Sequence, residues 1–198
     1  MAAQINNGAP CDVFASANAT QMSAAAKGGR IDETTAVTFA KNHLVVIYPK
    51  ANPAGIQTLQ DLARPGVKLI LADKSVPAGQ YALAFLDNAV KDGNLGASYK
   101  DDVLKNVVSY ELDVKSVLSK VDLGEADAGI VYNTDASADN PNKTSQLAIP
   151  DNLDVTAAYP IAVLQDSSHL DLAQVFIVYV LSPEGQTTLQ KYGFIPYK

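Results

Sequence analysis

The chain has 198 residues, 47% of them hydrophobic and 18% charged, a composition typical of a globular protein with room for one large domain or two small lobes. Its net charge of −6 argues against nonspecific binding to nucleic acid or anionic membranes, which requires a basic surface. The single cysteine, Cys11, excludes an intrachain disulfide and a cysteine-rich metal site. A small anion is not excluded, because backbone N–H groups bind anions without net positive charge.

The first third of the chain predicts short strands around one helix. Residues 1–8, "MAAQINNG", resemble the last turn of a helix, which predicts a chain shortened at its N-terminus; the alternative is a short native N-terminal helix. Strands are expected within residues 11–17 and, as a pair joined through 41–43, within 35–50. Asn18 is a predicted N-cap for a helix that stops at the glycines 28–29.

The rest of the chain alternates between predicted strands and predicted helices. Strands are predicted at 68–72, ending at 111–112, at 128–132, at the end of the stretch 135–150 and in the extended run 155–166. Helices are predicted around 58–62, from 77, within 96–112, at about 114–123 and from 171. A Ser-Pro break at 182–183 separates the last two helices, and the stretch 133–145 is predicted to be a polar loop. This alternation predicts an α/β protein with parallel strand pairs.

A turn of small residues opens the helix after residue 76. It holds Ser75, Pro77, Ala78 and Gly79, and proline is favoured at the first helical position because its missing N–H would be unpaired there anyway. The following backbone N–H groups lie at the positive end of the helix dipole with no bulky side chain in front. The turn is therefore either an ordinary helix start or an anion site.

A second strand-turn-helix unit repeats this pattern. The strand ends near Glu111, and a helix begins near Asp113 and Val114, so the Val114 N–H is a second candidate donor. Tyr132 ends the apolar strand 128–132, and ligands of α/β sheets bind at the carboxyl ends of strands. Taken alone, Tyr132 also fits a half-buried tyrosine with a solvated hydroxyl.

Catalytic and metal-binding motifs are absent from the sequence. His43 and His169 lie far apart without ligand spacing, and there is no G-x-S-x-G, H-E-x-x-H or P-loop motif. The acidic residues at 101–102 and 135–139 are expected on solvated faces, and Cys11 is expected to be a buried, inert thiol.

Several motifs, taken in order, resemble a known family. They are "GAPCDVFASAN", "SVPAGQYA", "GEADAGIVY", "YPIAVL" and "YGFIPY", and the likeness covers essentially the whole chain. The series resembles the molybdate-binding proteins of ABC importers, the ModA type. The resemblance implies a type II periplasmic-binding-protein-like α/β fold with two lobes joined by crossover strands. One lobe would hold residues 1–41 and 160–198, the other residues 42–159, with the anion in the cleft.

The resemblance also implies a site and its occupant. Ala78 and Val114 would each donate a backbone N–H, and Tyr132 its hydroxyl, to molybdate or tungstate, with no cofactor, no metal cation and no catalysis. Ser75, Pro77, Gly79 and Asp113 would support the two turns. Two serines that the family uses in the first lobe would lie before Met1, so the first lobe is expected to be incomplete and anion binding weak or absent. Exposed apolar surface there predicts self-association or a partner that fills the gap.

The function that follows is capture of a tetrahedral oxyanion for an ABC importer. The partner would be the membrane permease, with no nucleic acid, and the full-length protein would be periplasmic or otherwise extracytoplasmic. One alternative is the ligand-sensing domain of a transcription regulator on the same fold. The other is an enzyme on an α/β scaffold, which would need a nucleophile or an acid/base pair among the cleft residues.

Overall fold

The computed structural model describes residues 1–138 and 142–198, and the chain divides into two compact units. Unit 1 consists of Met1–Asn42 together with Ala157–Lys198, and unit 2 consists of His43–Thr156. The chain therefore passes between the units twice, after Asn42 and after Thr156. Each unit has its own sheet and its own buried core.

The elements follow one another in this order: α1 (Ala2–Asn6), β1 (Val13–Ala15), α2 (Ala19–Ala26), a 3₁₀ turn (Glu33–Thr35), β2 (Val37–Asn42), β3 (Leu44–Pro49), a 3₁₀ helix (Leu59–Ala63), β4 (Leu69–Ala72), α3 (Pro77–Asp92), α4 (Tyr99–Lys105), β5 (Val107–Glu111), α5 (Val114–Asp122), β6 (Ala128–Tyr132), α6 (Asn133–Ala138), β7 (Thr144–Ala148), β8 (Ala157–Val163), α7 (Leu170–Leu181), α8 (Pro183–Lys191) and β9 (Ile195–Pro196). None of the helices described is long and apolar enough to cross a membrane.

The sheet of unit 1 has the strand order β1-β8-β2-β9, and its pairings are all antiparallel. The expectation of parallel pairs is wrong here, and the chain path gives the reason. β2 leads the chain out of unit 1 and β8 leads it back in, with Asn42 paired to Ala157. Two neighbouring strands that carry the chain out and back at one point must run in opposite directions.

The sheet of unit 2 has the order β5-β4-β6-β3-β7 and is mixed. β4 runs parallel to both β5 and β6, as the strand-helix alternation predicts, whereas β3 runs antiparallel to β6 and β7. All four residues of β4 are buried, and so are the first four of β6. Such continuous apolar runs are typical of strands covered on both faces.

Helices pack on both faces of the unit 2 sheet and create two cores. One core contains Phe85 of α3 and Tyr99 of α4, and the Tyr99 hydroxyl donates a hydrogen bond to the Leu59 carbonyl oxygen at 2.7 Å. Burial raises the pKa of the Tyr99 hydroxyl. The other core contains Val117 and Val121 of α5. The apolar face of each amphipathic helix thus faces the sheet, as its 3.6-residue period requires.

A local signal in the sequence predicts where α2 begins. The Asn18 side chain accepts a hydrogen bond from the Gln21 N–H at 2.8 Å, which confirms Asn18 as the N-cap of α2. The polar loop predicted at 133–145 is partly wrong, because 133–138 form α6 and β7 begins at Thr144. Ala136 anchors α6 by its burial in the α5-side core, while residues 139–141 of that prediction lie outside the described part of the chain.

Candidate oxyanion-binding site

Three adjacent parallel strands bring the predicted donors to one edge of the unit 2 sheet. The strands lie in the order β5-β4-β6, so their carboxyl ends point the same way. α3 follows β4, α5 follows β5, and Tyr132 is the last residue of β6. Ligands of open α/β sheets bind outside the carboxyl ends of the strands.

The Ala78 N–H is a buried donor in the first turn of α3. Val76 has the extended backbone of an N-cap, Pro77 takes the first helical position, and Ala78 is only 1% exposed. The N–H groups of Gly79 and Gln80 both donate to the Val76 carbonyl oxygen, at 3.0 and 3.2 Å. The Ala78 N–H has no acceptor within residues 1–138 and 142–198. An N–H at this position in a helix is left to pair with water or with a ligand.

The turn before α3 is held by the Asp73 carboxylate. Asp73 Oδ1 accepts hydrogen bonds from the Ser75 N–H at 2.8 Å and from the Ser75 hydroxyl at 2.7 Å. These bonds, the hydroxyl first, lower the pKa of Asp73. The Ser75 hydroxyl is thus engaged with Asp73 inside the turn.

Gly79 lies where the backbone of α3 meets the end of β4. A Cβ built there would overlap the carbonyl oxygens of Ala72 and Asp73, which are backbone atoms that cannot swing aside. Glycine is therefore required by close packing, not by an unusual backbone angle.

We expect Gly79→Ala to lower the free energy of unfolding by about 1–3 kcal/mol through overpacking, although alanine favours a helix by about 1 kcal/mol. Lys91→Ala, at an exposed position in the last turn of the same helix, is the matched control. Urea unfolding followed by circular dichroism measures both variants. An unchanged or higher midpoint for Gly79→Ala would contradict the packing argument.

The Val114 N–H repeats the arrangement at the start of α5. Asp113 is the N-cap, with extended backbone at φ −154° and ψ 158°. Its carboxylate accepts hydrogen bonds from the Ser116 N–H at 2.7 Å and the Ser116 hydroxyl at 2.9 Å, and these bonds lower the pKa of Asp113. Among the described residues, nothing accepts a hydrogen bond from the Val114 N–H.

Tyr132 is half-buried at the end of β6 and is paired with Leu44 of β3. Its ring meets the edge of Tyr81, with centroids 6.3 Å apart and planes at 67°. This aromatic contact ties Tyr132 to α3 three residues beyond Ala78. Tyr81 was not predicted to matter, and its only signal is its place one helical turn after Ala78.

The three predicted donor residues share one apolar cluster. Ala78 is buried inside the α5-side core, and the partly buried side chains of Val114 and Tyr132 pack against it. The structure thus brings together residues that lie 54 positions apart along the chain, from 78 to 132. Packing of this kind fixes the backbone at Ala78 and Val114 and restricts the rotamers of Tyr132 before a ligand arrives.

Asp135 departs from the solvated position predicted for it. It lies half-buried in the first turn of α6, and burial raises the pKa of its carboxyl group while the charge of Lys115 acts in the opposite direction. Asp101 is exposed as predicted, whereas Asp139 lies outside the described residues. No group of three or more His, Cys, Asp or Glu in 1–138 and 142–198 is placed to hold a metal ion.

The two histidines lie in different units, and the His43 carbonyl oxygen accepts a hydrogen bond from the Asn133 N–H at 2.9 Å beside the end of β6. His43 is the first residue of unit 2, between β2 and β3, and His169 precedes α7 in unit 1. His169 Nδ1 lies 3.0 Å from the Ser168 hydroxyl and 3.5 Å from Asp12 Oδ1. Because the serine and the carboxylate approach the same ring nitrogen, they do not form the serine-histidine-aspartate relay of a hydrolase.

Helix N-termini and a tyrosine at the strand ends of an α/β sheet form an arrangement suited to binding a small anion. Residues 1–195 match the family model of the bacterial extracellular solute-binding proteins. The molybdate-binding protein ModA of Mycobacterium tuberculosis is 36% identical over 194 residues, which cover 98% of this chain and 69% of the relative. The chain therefore belongs to the family of bacterial extracellular solute-binding proteins.

Solved structures give the same picture of the fold. A substrate-binding domain from Clostridium difficile, assigned to a molybdenum ABC transporter, is 31% identical with a TM-score of 0.80, covering 98% of this chain and 81% of its own. The sulfate-binding protein SubI of Mycobacterium tuberculosis has a TM-score of 0.83 at 19% identity, covering 98% and 72%, and is a likeness of fold alone. The predicted type II periplasmic-binding-protein-like fold is thereby confirmed. The family consists of solute-binding proteins, so the enzyme alternative is wrong.

Proposed function

We propose that this chain captures molybdate, and by the same chemistry tungstate, for an ABC importer. The observation that carries the proposal is a pair of backbone N–H groups, those of the buried Ala78 and the half-buried Val114, which have no acceptor among the described residues and lie at adjacent strand ends beside Tyr132. Helix N-termini are favourable places for an oxyanion because N–H groups and the helix dipole both point at it. The ModA relative and the Clostridium difficile domain support molybdate as the particular anion.

Uncharged hydrogen-bond donors explain why the site is expected to prefer molybdate to phosphate. Molybdate carries no proton at neutral pH and can accept hydrogen bonds at every oxygen. Protonated phosphate carries a hydroxyl donor, which a site built only of donors leaves without an acceptor. An unpaired polar group of this kind costs about 1–3 kcal/mol, which corresponds to roughly 5- to 150-fold weaker binding of phosphate.

Isothermal titration of the chain with molybdate, tungstate and phosphate tests this function. We expect molybdate and tungstate to bind at one anion per chain and to compete with each other, and phosphate to bind at least about fivefold more weakly. The molybdate titration also measures whether binding is as weak as the sequence predicts. Equal binding of phosphate and molybdate, or no molybdate binding at millimolar concentration, would contradict the proposal.

The remaining assignments are proposals of the same kind. We propose that units 1 and 2 correspond to the two lobes expected at 1–41 with 160–198 and at 42–159. The family description and the transporter relatives support an extracytoplasmic location and a membrane permease as the partner. Self-association through the first lobe is proposed as well, and absence of a nucleic-acid partner is proposed from the net charge of −6.

A further inference from the structure

The side chain of Tyr132 stands on the face of the unit 2 sheet that α3 covers. Side chains alternate between the two faces along β6, so Tyr132 shares a face with Ala128 and Ile130. Both of those residues belong to the larger unit 2 core, which α3 and α4 cover, and Tyr132 packs against that core as well as against the α5-side core. Because β6 ends at Tyr132, the strand supplies no neighbour for the ring on the side of the candidate site.

Tyr81 of α3 is a neighbour of the Tyr132 ring from outside the strand. It is half-buried and packs against the same core as Tyr132. Side chains of a helix lean toward its N-terminus, so the Tyr81 ring leans toward the turn that holds Ala78. The rings of Tyr81 and Tyr132 meet edge to face, with centroids 6.3 Å apart and planes at 67°. This is a favoured geometry for two aromatic rings, and it restricts the movement of both.

We infer that Tyr81 is a positioning residue for the oxyanion site, and that it holds the Tyr132 ring in the rotamer whose hydroxyl donates to the anion. The inference rests on the proposed function, in which Tyr132 donates beside the N–H groups of Ala78 and Val114. Those two N–H groups are fixed by the helix backbone, whereas the tyrosine hydroxyl lies at the end of a side chain with rotatable bonds. Tyr132 is therefore the donor that gains most from a side chain that fixes it before the anion binds.

Tyr81→Leu tests this role, because it removes the ring contact and keeps an apolar side chain on α3. Tyr132 then has to be ordered when the anion binds, so we expect molybdate to bind about 2- to 12-fold more weakly in isothermal titration. Tyr81→Phe keeps the ring and should restore the affinity of the parent, since Tyr81 acts through its ring and does not donate to the anion. Circular dichroism confirms that each variant is folded.

Tyr48→Leu is the matched control for the loss of a half-buried tyrosine. Tyr48 packs against the same core, but it lies toward the far end of β3 from Leu44, the residue that pairs with Tyr132. The distance along the strand from Leu44 to Tyr48 is about 13 Å. We therefore expect Tyr48→Leu to leave the affinity for molybdate unchanged.

A double-mutant cycle separates positioning of Tyr132 from a general effect on the site. In a Tyr132→Phe background the donor hydroxyl is gone, so adding Tyr81→Leu should cause no further loss of affinity. An equal loss from Tyr81→Leu in both backgrounds would overturn the inference. So would a loss from Tyr81→Phe as large as that from Tyr81→Leu, because the Tyr81 hydroxyl would then act on the anion directly.

NMR couplings across χ1 of Tyr132, measured on the isotope-labelled chain without anion, give a readout that does not depend on binding. We expect the couplings of a single rotamer in the parent and in Tyr81→Phe, and averaged couplings in Tyr81→Leu. Averaged couplings in the parent, or a single rotamer that persists in Tyr81→Leu, would overturn the inference. Loss of the single rotamer in Tyr81→Leu supports the positioning role even if the parent binds no molybdate, a result that would count against the proposed function alone.

Discussion

Phe85→Ala is expected to lower the free energy of unfolding of unit 2 by about 3–5 kcal/mol, the cost of removing a large aromatic side chain from a packed core. Phe85 is 0% exposed and lies in the larger unit 2 core with Leu86, Tyr99 and Val103. The ring fills the space between α3, α4 and the sheet, and its loss leaves a cavity that the surrounding backbone closes only in part. This is the largest stability effect that we expect from a single substitution in the chain.

Chemical unfolding in urea, followed by circular dichroism, measures this effect. Tyr110→Ala is the matched control, because it removes an aromatic ring of similar size from β5 at a position that is 51% exposed. The control should cost less than about 1 kcal/mol, as is usual for exposed positions. Equal losses for the two variants would mean that the α3–α4 core does not hold unit 2 together.

Val114→Pro is expected to weaken molybdate binding about 10- to 100-fold while unit 2 remains folded. The substitution removes one hydrogen-bond donor, and a hydrogen bond to a charged group contributes about 1.5–3 kcal/mol. Proline suits the site, because Val114 is the first residue of α5 and Asp113 before it is already extended. Within the described residues no acceptor loses a bond when this N–H is removed.

Isothermal titration compares Val114→Pro with Val114→Ala, which trims the side chain and keeps the N–H. We expect Val114→Ala to bind molybdate within about twofold of the parent, because the backbone donor is unchanged. Thermal unfolding of both variants separates loss of binding from loss of structure. If the two variants bind equally well, the Val114 N–H does not contact the anion, and the site must lie elsewhere on the sheet edge.

Both turns of the candidate site were visible in the sequence because they rest on local chemistry. Pro77 can start a helix and cannot continue one, and Asp113 caps the N–H two or three residues ahead, whatever surrounds them. The strand ends before them follow from apolar runs of four or five residues. These signals act over fewer than five positions, so reading the sequence was sufficient to find Ala78, Val114 and Tyr132 as candidates.

Other features depend on which distant segments contact each other in the fold. Local sequence patterns do not indicate these contacts. The antiparallel pairing of β2 with β8 joins residues more than 110 positions apart, and the burial of Asp135 depends on the packing of α6 against α5. The need for glycine at position 79 arises from contact with the backbone of Ala72 and Asp73, against the helix propensity of the residue.

The structural features of the molecule thus have two kinds of physical cause. Helix starts, caps and apolar strands follow from interactions between near neighbours along the chain, and each is encoded where it occurs. Strand order, the meeting of Ala78, Val114 and Tyr132 on one cluster, and the exposure of large apolar side chains on α7 follow from packing between distant segments. Packing depends on the volumes and positions of all the partners together, and for that reason the folded structure was required to see it.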